Sequence, residues 1–511
     1  MAEFRFSPKH NSADKINWHH FSKNTFEKAA SEDKPVFLSL SAVWCHWCHV
    51  MDETTFSDAE IIDYLNENFI CIRVDTDKRP DIQNRYLMNG WPTATFLTDK
   101  ADVISGSTYM PAHEFLTLSK KIKESWDTSA EVARQRAEER RLKIEEKIPE
   151  PVHSELKLST IDLILDEYQN TFDEKLGGFG NAVKFPAPLT LELFIRQSQI
   201  KKNPNLLYIA TATLDNMAKG EIYDKEWGGF FRYATERDWS RPHYEKMLSD
   251  NAAIIMNYLH AFEMTHRPAY FEVIQKSLNY VDTFLANHPN GGFYGSQDAD
   301  EKFYAQNADK RDVDDMPPID KVIYTDANAQ MVSTYMEAYR ILNKSKYLSF
   351  AVETVKFLLN NCLTSMGAAH YFTKEEGPKV IGLLPDQIWM LVALIDVFEH
   401  DPRPEYLTHA NDLVDIIINR LSGNGAFFDK SQTDEDIGNL KVRYRPVREN
   451  ALLALALQRF SIQSNNKEFK DMARQILSAF QFEQFKEDYI SMAPYALALS
   501  EVLGEEVEEA A

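Results

Sequence analysis

From residue 155 onward the chain repeats one helical alternation six times, and that repeat limits its fold more than any other feature. Six amphipathic segments begin near Ser159, Leu206, Ala269, Tyr347, Tyr406 and Glu468. In the third, Tyr270, Val273, Ile274, Leu278, Val281 and Leu285 recur at helical spacing. Each segment leads through a loop to a more uniformly apolar helix. These second helices start near Ala187, Asp250, Asn328, Asp386, Asn450 and Pro494. A helix that is apolar all round is enclosed by protein. Six amphipathic helices alternating with six enclosed ones predict an (α/α)6 barrel with the enclosed set as its inner ring.

The loops from outer to inner helix carry Gly177-Gly178-Phe179, Gly228-Gly229-Phe230, Gly291-Gly292-Phe293 and Gly425-Ala426-Phe427. Alternation places these loops on one end of the barrel, and long loops on a rigid scaffold are where sites are built. The second loop holds Arg232, Asp238, Arg241, His243, Tyr244, Glu245 and Lys246 and ends at Asp250-Asn251. The third holds Gln297-Asp298-Ala299-Asp300, and the fifth Arg443, Tyr444, Arg445, Arg448 and Glu449. Trp227, Phe230, Phe231, Tyr233, Trp239, Phe293 and Tyr294 are interleaved. Aromatic faces stack on a pyranose ring and paired acids move protons, so this content suits a sugar. A structural reading stands beside it. Asp250, Asp326 and Asp386 fall at inner-helix starts, where Asp is a common cap, and Gly-Gly-Phe is a turn and packing signal. His243 with Glu245 is the pair that structure alone explains least.

The N-terminal part is organised around Trp44-Cys45-His46-Trp47-Cys48-His49, which holds two of the four cysteines. It follows the apolar run Pro35–Ser41 and precedes a helical segment. A Cys-x-x-Cys between strand and helix reads as a redox pair, because the helix N-terminus stabilises a thiolate. Cys45 is the expected exposed attacking thiol and Cys48 the resolving one, with His46 and His49 as proton donors that favour thiolate when charged. Zinc is the rival reading, but no second Cys/His cluster lies at the usual spacing. Around this motif the order of patterns is α-β-α-β-α-β-β-α, that of a thioredoxin fold, and Pro92 before the third core strand is expected to be cis. Residues 127–155, dense in Arg, Lys and Glu and then broken by Pro149 and Pro151, read as a solvated helix and linker.

A chain of 511 residues accommodates two to four domains. No stretch offers 18 uncharged apolar residues, so no membrane span is expected. The polar N-terminus lacks an apolar signal core, and with few cysteines the cytoplasm is the expected location. Cys71 and Cys362 read as buried singletons. The net charge of −22 disfavours nucleic acid and anionic membranes as partners.

Trp44–Met51, Val74-Asp75 with Arg79-Pro80-Asp81, and Gly90-Trp91-Pro92 carry a resemblance to a known family. So do Gly177–Gly180 with Lys184-Phe185-Pro186, Pro242–Leu248, Asp250-Asn251-Ala252 and Asp298-Ala299-Asp300. The chain resembles the spermatogenesis-associated protein 20 group of thioredoxin-domain proteins, whose bacterial members are called YyaL. The resemblance covers nearly the whole chain. It implies a thioredoxin-like domain joined to a six-hairpin-glycosidase-like barrel, a class that includes sugar epimerases and glycan hydrolases and lyases. Where Gln297 stands, the family usually has Glu.

The expected fold is therefore multidomain, α/β followed by all-α: a thioredoxin-like domain over 1–126, a charged helical linker over 127–155, and an (α/α)6 barrel over 156–511. The expected function is thiol-disulfide exchange in the first domain with carbohydrate binding in the barrel. The rivals are a carbohydrate-active epimerase or hydrolase with a regulatory thioredoxin domain, and a non-catalytic scaffold. Candidate catalytic residues are Cys45, Cys48, Pro92, His243, Glu245 and Asp298. Candidate substrate-binding residues are Trp44, Trp91, Lys184, Arg232, Tyr244, Lys246, Asp250, Asn251, Asp300 and Arg445. No cofactor and no metal are expected. The expected partners are a carbohydrate and a disulfide-bearing protein or small-molecule thiol.

Overall fold

A five-stranded sheet forms the centre of the first unit in the computed structural model, which describes residues 7–509. Its strands are Trp18–His19 (β1), Val36–Ser41 (β2), Ile70–Asp75 (β3), Thr93–Leu97 (β4) and Val103–Ser107 (β5). The order is β1-β3-β2-β4-β5, with β1 and β2 parallel to β3 and with β4 and β5 each antiparallel to its neighbour. The period of two along β2 builds two cores. Phe37 packs with Met51, Phe56, Phe96 and Phe115. Val36, Leu38 and Leu40 pack with Phe26, Ile72, Val74, Ile82 and Tyr86 on the other face. The surrounding helices are Lys23–Ser31 (α1), His46–Glu53 (α2), Ala59–Asn68 (α3), Pro80–Tyr86 (α4) and Ala112–Glu145 (α5).

The charged stretch after Trp126 is not a linker, which corrects the expected boundary. α5 continues through it, interrupted by non-helical Ser129. Arg134 pairs with Asp99 (2.8 Å) and Asp33 (2.9 Å), and Arg141 with Asp102 (2.7 Å). These guanidinium groups are satisfied by acids of the sheet loops, so the helix is held to the first unit, which runs to Glu150.

The first unit also contains Gln432–Tyr444, a segment more than 280 residues further along the chain. Leu440 is buried among Phe21, Phe26 and Tyr86. The Val442 carbonyl accepts from Arg85 Nε (3.0 Å) and from its terminal nitrogen (2.6 Å). The Asn439 N–H donates to Tyr86 Oη (3.1 Å). The sequence assigned this strap to the barrel because its neighbours on both sides are barrel segments.

The second unit comprises 151–431 and 445–511. Its outer helices are Ser159–Thr171, Pro204–Lys219, Pro268–Tyr280, Ser345–Asn361, Pro404–Leu421 and Lys467–Ser478. Its inner helices are Pro188–Ile200, Leu248–Thr265, Thr325–Leu342, Leu384–His400, Val447–Ser464 and Tyr489–Glu509. Each inner helix packs on the next and the sixth on the first, which closes the (α/α)6 ring. The sixth begins at Tyr489, five residues before the expected start, with Pro494 inside it.

Two polar devices hold the barrel. First, the fourth residue of four inner helices is an amide that clamps the preceding loop. Phe230 N–H donates to Asn251 Oδ1 (2.7 Å), and Asn251 Nδ2 donates to Phe230 O (3.0 Å). Asn328 does the same at Phe293, Gln387 at Ala368 and Asn450 at Phe427. Second, a belt of charge joins the inner helices, with His260, Glu337, Asp396 and Arg459 each about two and a half turns beyond the clamping amide of their helix. His260 bridges Glu192 (2.8 Å) and Glu337 (3.1 Å), Arg196 pairs with Glu192 (2.6 Å) and Glu501 (3.0 Å), and Arg459 pairs with Asp396 (2.7 Å). Burial opposes charge on His260, but the two glutamates override it and raise its pKa to about 10. Among the described residues no helix is long and apolar enough to cross a membrane.

Candidate functional site

Each unit carries one candidate site. In the first, β2 ends at Ser41 and the chain turns into α2 with Cys45 as its N-cap residue. Cys45 and Cys48 are joined by a disulfide, and the Cys48 N–H donates to Cys45 Sγ (3.2 Å). Sulfur at a helix N-terminus faces unpaired N–H groups and the positive dipole end, which stabilise a thiolate once the bond is reduced. The pairing of Leu40 with Thr93 brings the start of β4 alongside. There the Trp91–Pro92 peptide is cis, as the sequence predicts. Trp44 and Trp91 meet edge to face at 5.7 Å. Trp44 donates to Asp77 Oδ2 (2.5 Å) and Trp91 to Thr76 Oγ1 (3.1 Å), so both indoles are fixed.

Two expectations at this motif are corrected. Cys45 is not openly exposed, with 4% of its surface accessible against 0% for Cys48. The exposed side chains are Trp47 and His46. His49 is buried, and burial lowers its pKa against the pull of Val43 O and Asp52. Its Nε2 lies 2.7 Å from Val43 O, and burial disfavours the charged form that was expected to favour thiolate. Cys71 and Cys362 are buried free thiols, as expected, and burial pushes the Cys362 thiol up to about 12.

The barrel's candidate site is at the loop end. Four consecutive inner helices place an acid in their first turn: Asp250, Asp326, Asp386 and Glu449. None of them is the N-cap; those positions are Met247, Tyr324, Leu383 and Pro446. This corrects the capping reading of Asp250, Asp326 and Asp386. The macrodipole favours acids in a first turn even when they cap nothing.

Glu245 is coupled to His243, Asp250 and Asp298. It is buried, its Oε1 lies 3.7 Å from His243 Nδ1, and its Oε2 accepts no hydrogen bond among the described residues. Burial, with Glu245 and Asp300 adding and the Ala299 N–H opposing, pushes the Asp298 carboxyl up to about 8. Burial also pushes Asp250 up to about 6, with Arg232 opposing and Glu245 adding. Burial therefore favours the neutral form of Asp298, within electrostatic reach of Glu245. Beside it is an aromatic ledge. The His243 ring stacks on Tyr233 (4.4 Å), and Tyr233 stacks on Phe185 (4.7 Å), whose surface is 57% exposed. Tyr244 is partly exposed and lies parallel to Tyr304 at 5.9 Å.

Several candidate residues have other work. The Lys246 ammonium is fully buried, donates to Asp224 (2.7 Å) and Gly228 O (2.8 Å), and lies over the Tyr280 ring at 4.2 Å. Lys184 repeats this one loop earlier, with Asp173 (3.0 Å), Gly177 O (2.9 Å) and Gly180 O (2.7 Å). Both lysines tie a Gly-Gly turn. Asn251 is consumed by its loop clamp. Asp300 is the N-cap of Glu301–Tyr304, accepting from Lys302 and Phe303 N–H. Arg445 donates to Gly423 O (3.1 Å) and covers the Phe428 ring at 4.4 Å. Gln297 is buried, accepts from Tyr280 Oη (3.0 Å) and donates to Pro317 O (3.3 Å), so the position supports the loop. Recurrence separates such residues from functional ones in sequence, because an amide at the fourth position of four inner helices serves the repeat.

Comparison with known proteins agrees with both halves. The family model Thioredox_DsbH, described as a protein of unknown function, DUF255, matches residues 6–145. Mouse (Mus musculus) spermatogenesis-associated protein 20 is 34% identical over 315 residues, 56% of this chain and 39% of that protein. Over that stretch the chain is similar to spermatogenesis-associated protein 20. It spans about two fifths of the length of the curated relatives it matches. The thiol:disulfide interchange protein DsbD of Campylobacter jejuni (strain RM1221) is 30% identical over 101 residues, 18% of each chain. The cellobiose 2-epimerase of Spirochaeta thermophila superposes with a TM-score of 0.55 at 14% identity, covering 68% of this chain and 97% of that one. The chain thus has a thioredoxin-like domain followed by an (α/α)6 barrel of the fold that the epimerase shares.

Proposed function

We propose that the chain is a cytoplasmic thiol-disulfide oxidoreductase whose barrel binds a carbohydrate. The observation that carries the redox half is the Cys45–Cys48 disulfide at the N-terminus of α2, with cis Pro92 on the neighbouring strand. In the reduced protein, the Cys45 thiolate attacks one sulfur of a substrate disulfide and displaces the other as thiolate. The Cys48 thiolate then attacks Cys45 Sγ, closes the disulfide seen here and releases the second substrate thiol. Two electrons pass to the substrate, and an external dithiol reductant restores the pair. The partner is a disulfide-bearing protein or a small-molecule thiol; the charge of −22 argues against nucleic acid and membrane. The test is reduction of a model protein disulfide with a dithiol donor. Cys45→Ser is expected to abolish turnover, and unchanged turnover in that variant sinks the redox reading.

A second reading makes the barrel a carbohydrate-active enzyme. It is supported by the buried Glu245 Oε2, unpartnered among the described residues, by the raised pKa of Asp298 and by the exposed Phe185–Tyr233 ledge. The cellobiose 2-epimerase likeness adds the sugar class but, at 14% identity, only through the fold. A pyranose stacked on the ledge would bring hydroxyls to Glu245, with Asp298 as the acid and His243 or Glu245 as the base. A thermal-shift panel of mono- and disaccharides tests both forms of the barrel reading. At 100 times its dissociation constant, a sugar adds about 2.7 kcal/mol of stability. A sugar-dependent shift that is lost in His243→Ala supports the site, and no shift with any sugar removes it.

A further inference from the structure

A second polar cluster on the barrel's loop end lies outside the Glu245 group. One ligand-type atom each of Asp326, His370 and Asp386 falls within 4.8 Å of the other two. Asp326 is the second residue of inner helix Thr325–Leu342, and Asp386 the third of inner helix Leu384–His400. His370 is on the strand Gly367–Thr373, which pairs with Ile323–Tyr324 and Gly377–Ile381. His370 Nδ1 lies 3.0 Å and 3.1 Å from the two oxygens of Asp386. We propose that Asp326, His370 and Asp386 form a binding site for one divalent transition-metal ion of the zinc or manganese class.

Three features carry this. The donor set is one imidazole nitrogen and two carboxylate oxygens, a mixture that zinc and manganese accept and that disfavours a purely oxygen-seeking ion. Ligand atoms about 2.1 Å from one ion stand roughly 3.4 Å apart in a tetrahedron, so a group within 4.8 Å closes on an ion by small side-chain shifts. The donors are also held by rigid elements. Thr325 Oγ1 donates to Ala369 O (2.5 Å), and Gln387 clamps Ala368 on both backbone atoms, so the strand carrying His370 is fixed to both helices. Asp386 is fully buried and His370 nearly so, while Asp326 is partly exposed and gives the approach. Two carboxylates against one imidazole leave excess negative charge in a largely enclosed place, which a divalent cation neutralises.

The test uses the full-length, disulfide-oxidised protein, so that Cys45 and Cys48 cannot compete for metal. After chelation and dialysis it is titrated with ZnCl2 and separately with MnCl2 by calorimetry. Bound manganese is followed by electron paramagnetic resonance. The expected result is one equivalent bound, with affinity falling at least tenfold in Asp326→Asn and in His370→Gln while both variants keep the wild-type circular dichroism spectrum. Asp326 is partly exposed, so its variant decides the matter even if a change at buried Asp386 prevents folding. No binding of either ion overturns the proposal, as does one equivalent bound equally well by both variants.

Discussion

Gly438→Ala tests how the strap Gln432–Tyr444 is held to the first unit. Gly438 has φ +49°, a left-handed conformation that costs an L-residue about 1 kcal/mol. A Cβ there would lie 2.2 Å from the Ala101 carbonyl oxygen and 2.4 Å from its carbon. Those are backbone atoms and cannot swing away, so the strap must lift. Lifting exposes Leu440, a loss of about 2–3 kcal/mol. It also breaks the Asn439–Tyr86 hydrogen bond, roughly 1–2 kcal/mol, and the two Arg85–Val442 bonds to one carbonyl, roughly 1–2 kcal/mol together. The sum is about 4–7 kcal/mol against the closed strap, set against a local stability that cannot exceed the unit's own. Lys441 and Arg443 make the strap a tryptic target once open. When cleavage is slow relative to closing, its rate follows the population of the open form. A loss of 4 kcal/mol corresponds to roughly a thousandfold faster cleavage at Lys441. Limited trypsinolysis of the two proteins, read by mass spectrometry, gives the ratio. Equal cleavage rates refute the account of the strap.

The remaining predictions concern the barrel. Asn328→Leu removes the partners of Phe293 N–H (2.6 Å) and Phe293 O (3.0 Å), leaving two buried backbone groups unsatisfied. A loss of about 3 kcal/mol in urea denaturation is expected, and a change below about 0.5 kcal/mol contradicts the clamp. His260 has a folded pKa near 10, above its ordinary 6.5. Its charge therefore stabilises the fold fully below about pH 6.5, and that contribution is lost as pH rises through about 10. His260→Gln is expected to destabilise by roughly 3 kcal/mol at pH 6 and by progressively less toward pH 10. A deficit that stays constant with pH rejects the belt's electrostatics.

The two units differ in how far their sequence could be read. The barrel's helices were legible because each repeats one period, and eleven of the twelve expected starts fall close to the observed ones. The last inner helix was placed late because Pro494 reads as a start, whereas it lies inside the first turns of a helix that begins at Tyr489. The redox motif was legible as well, since Cys45 and Cys48 are neighbours on one helix turn. Roles were less legible than positions. Lys184 and Lys246 look like ligand-binding cations in a loop rich in aromatics, but folding turns both inward onto an aspartate and a Gly-Gly carbonyl. His370 offered no signal, because its partner Asp386 stands 16 residues away across a hairpin.

The sequence by itself determined the periodic and the local: sixfold alternation, the chain order of helix and strand patterns, the Cys pair at a helix start and the proline before β4. These follow from hydrophobic spacing and backbone preference, which act between residues close in the chain. Only the tertiary structure decided what depends on distant partners. It assigned Gln432–Tyr444 to the first unit, lowered the His49 pKa by burial, left Glu245 Oε2 without a partner among the described residues and set Asp298 at the end of the neighbouring strand. Burial and charge coupling are properties of a place in three dimensions, and a linear pattern does not contain them.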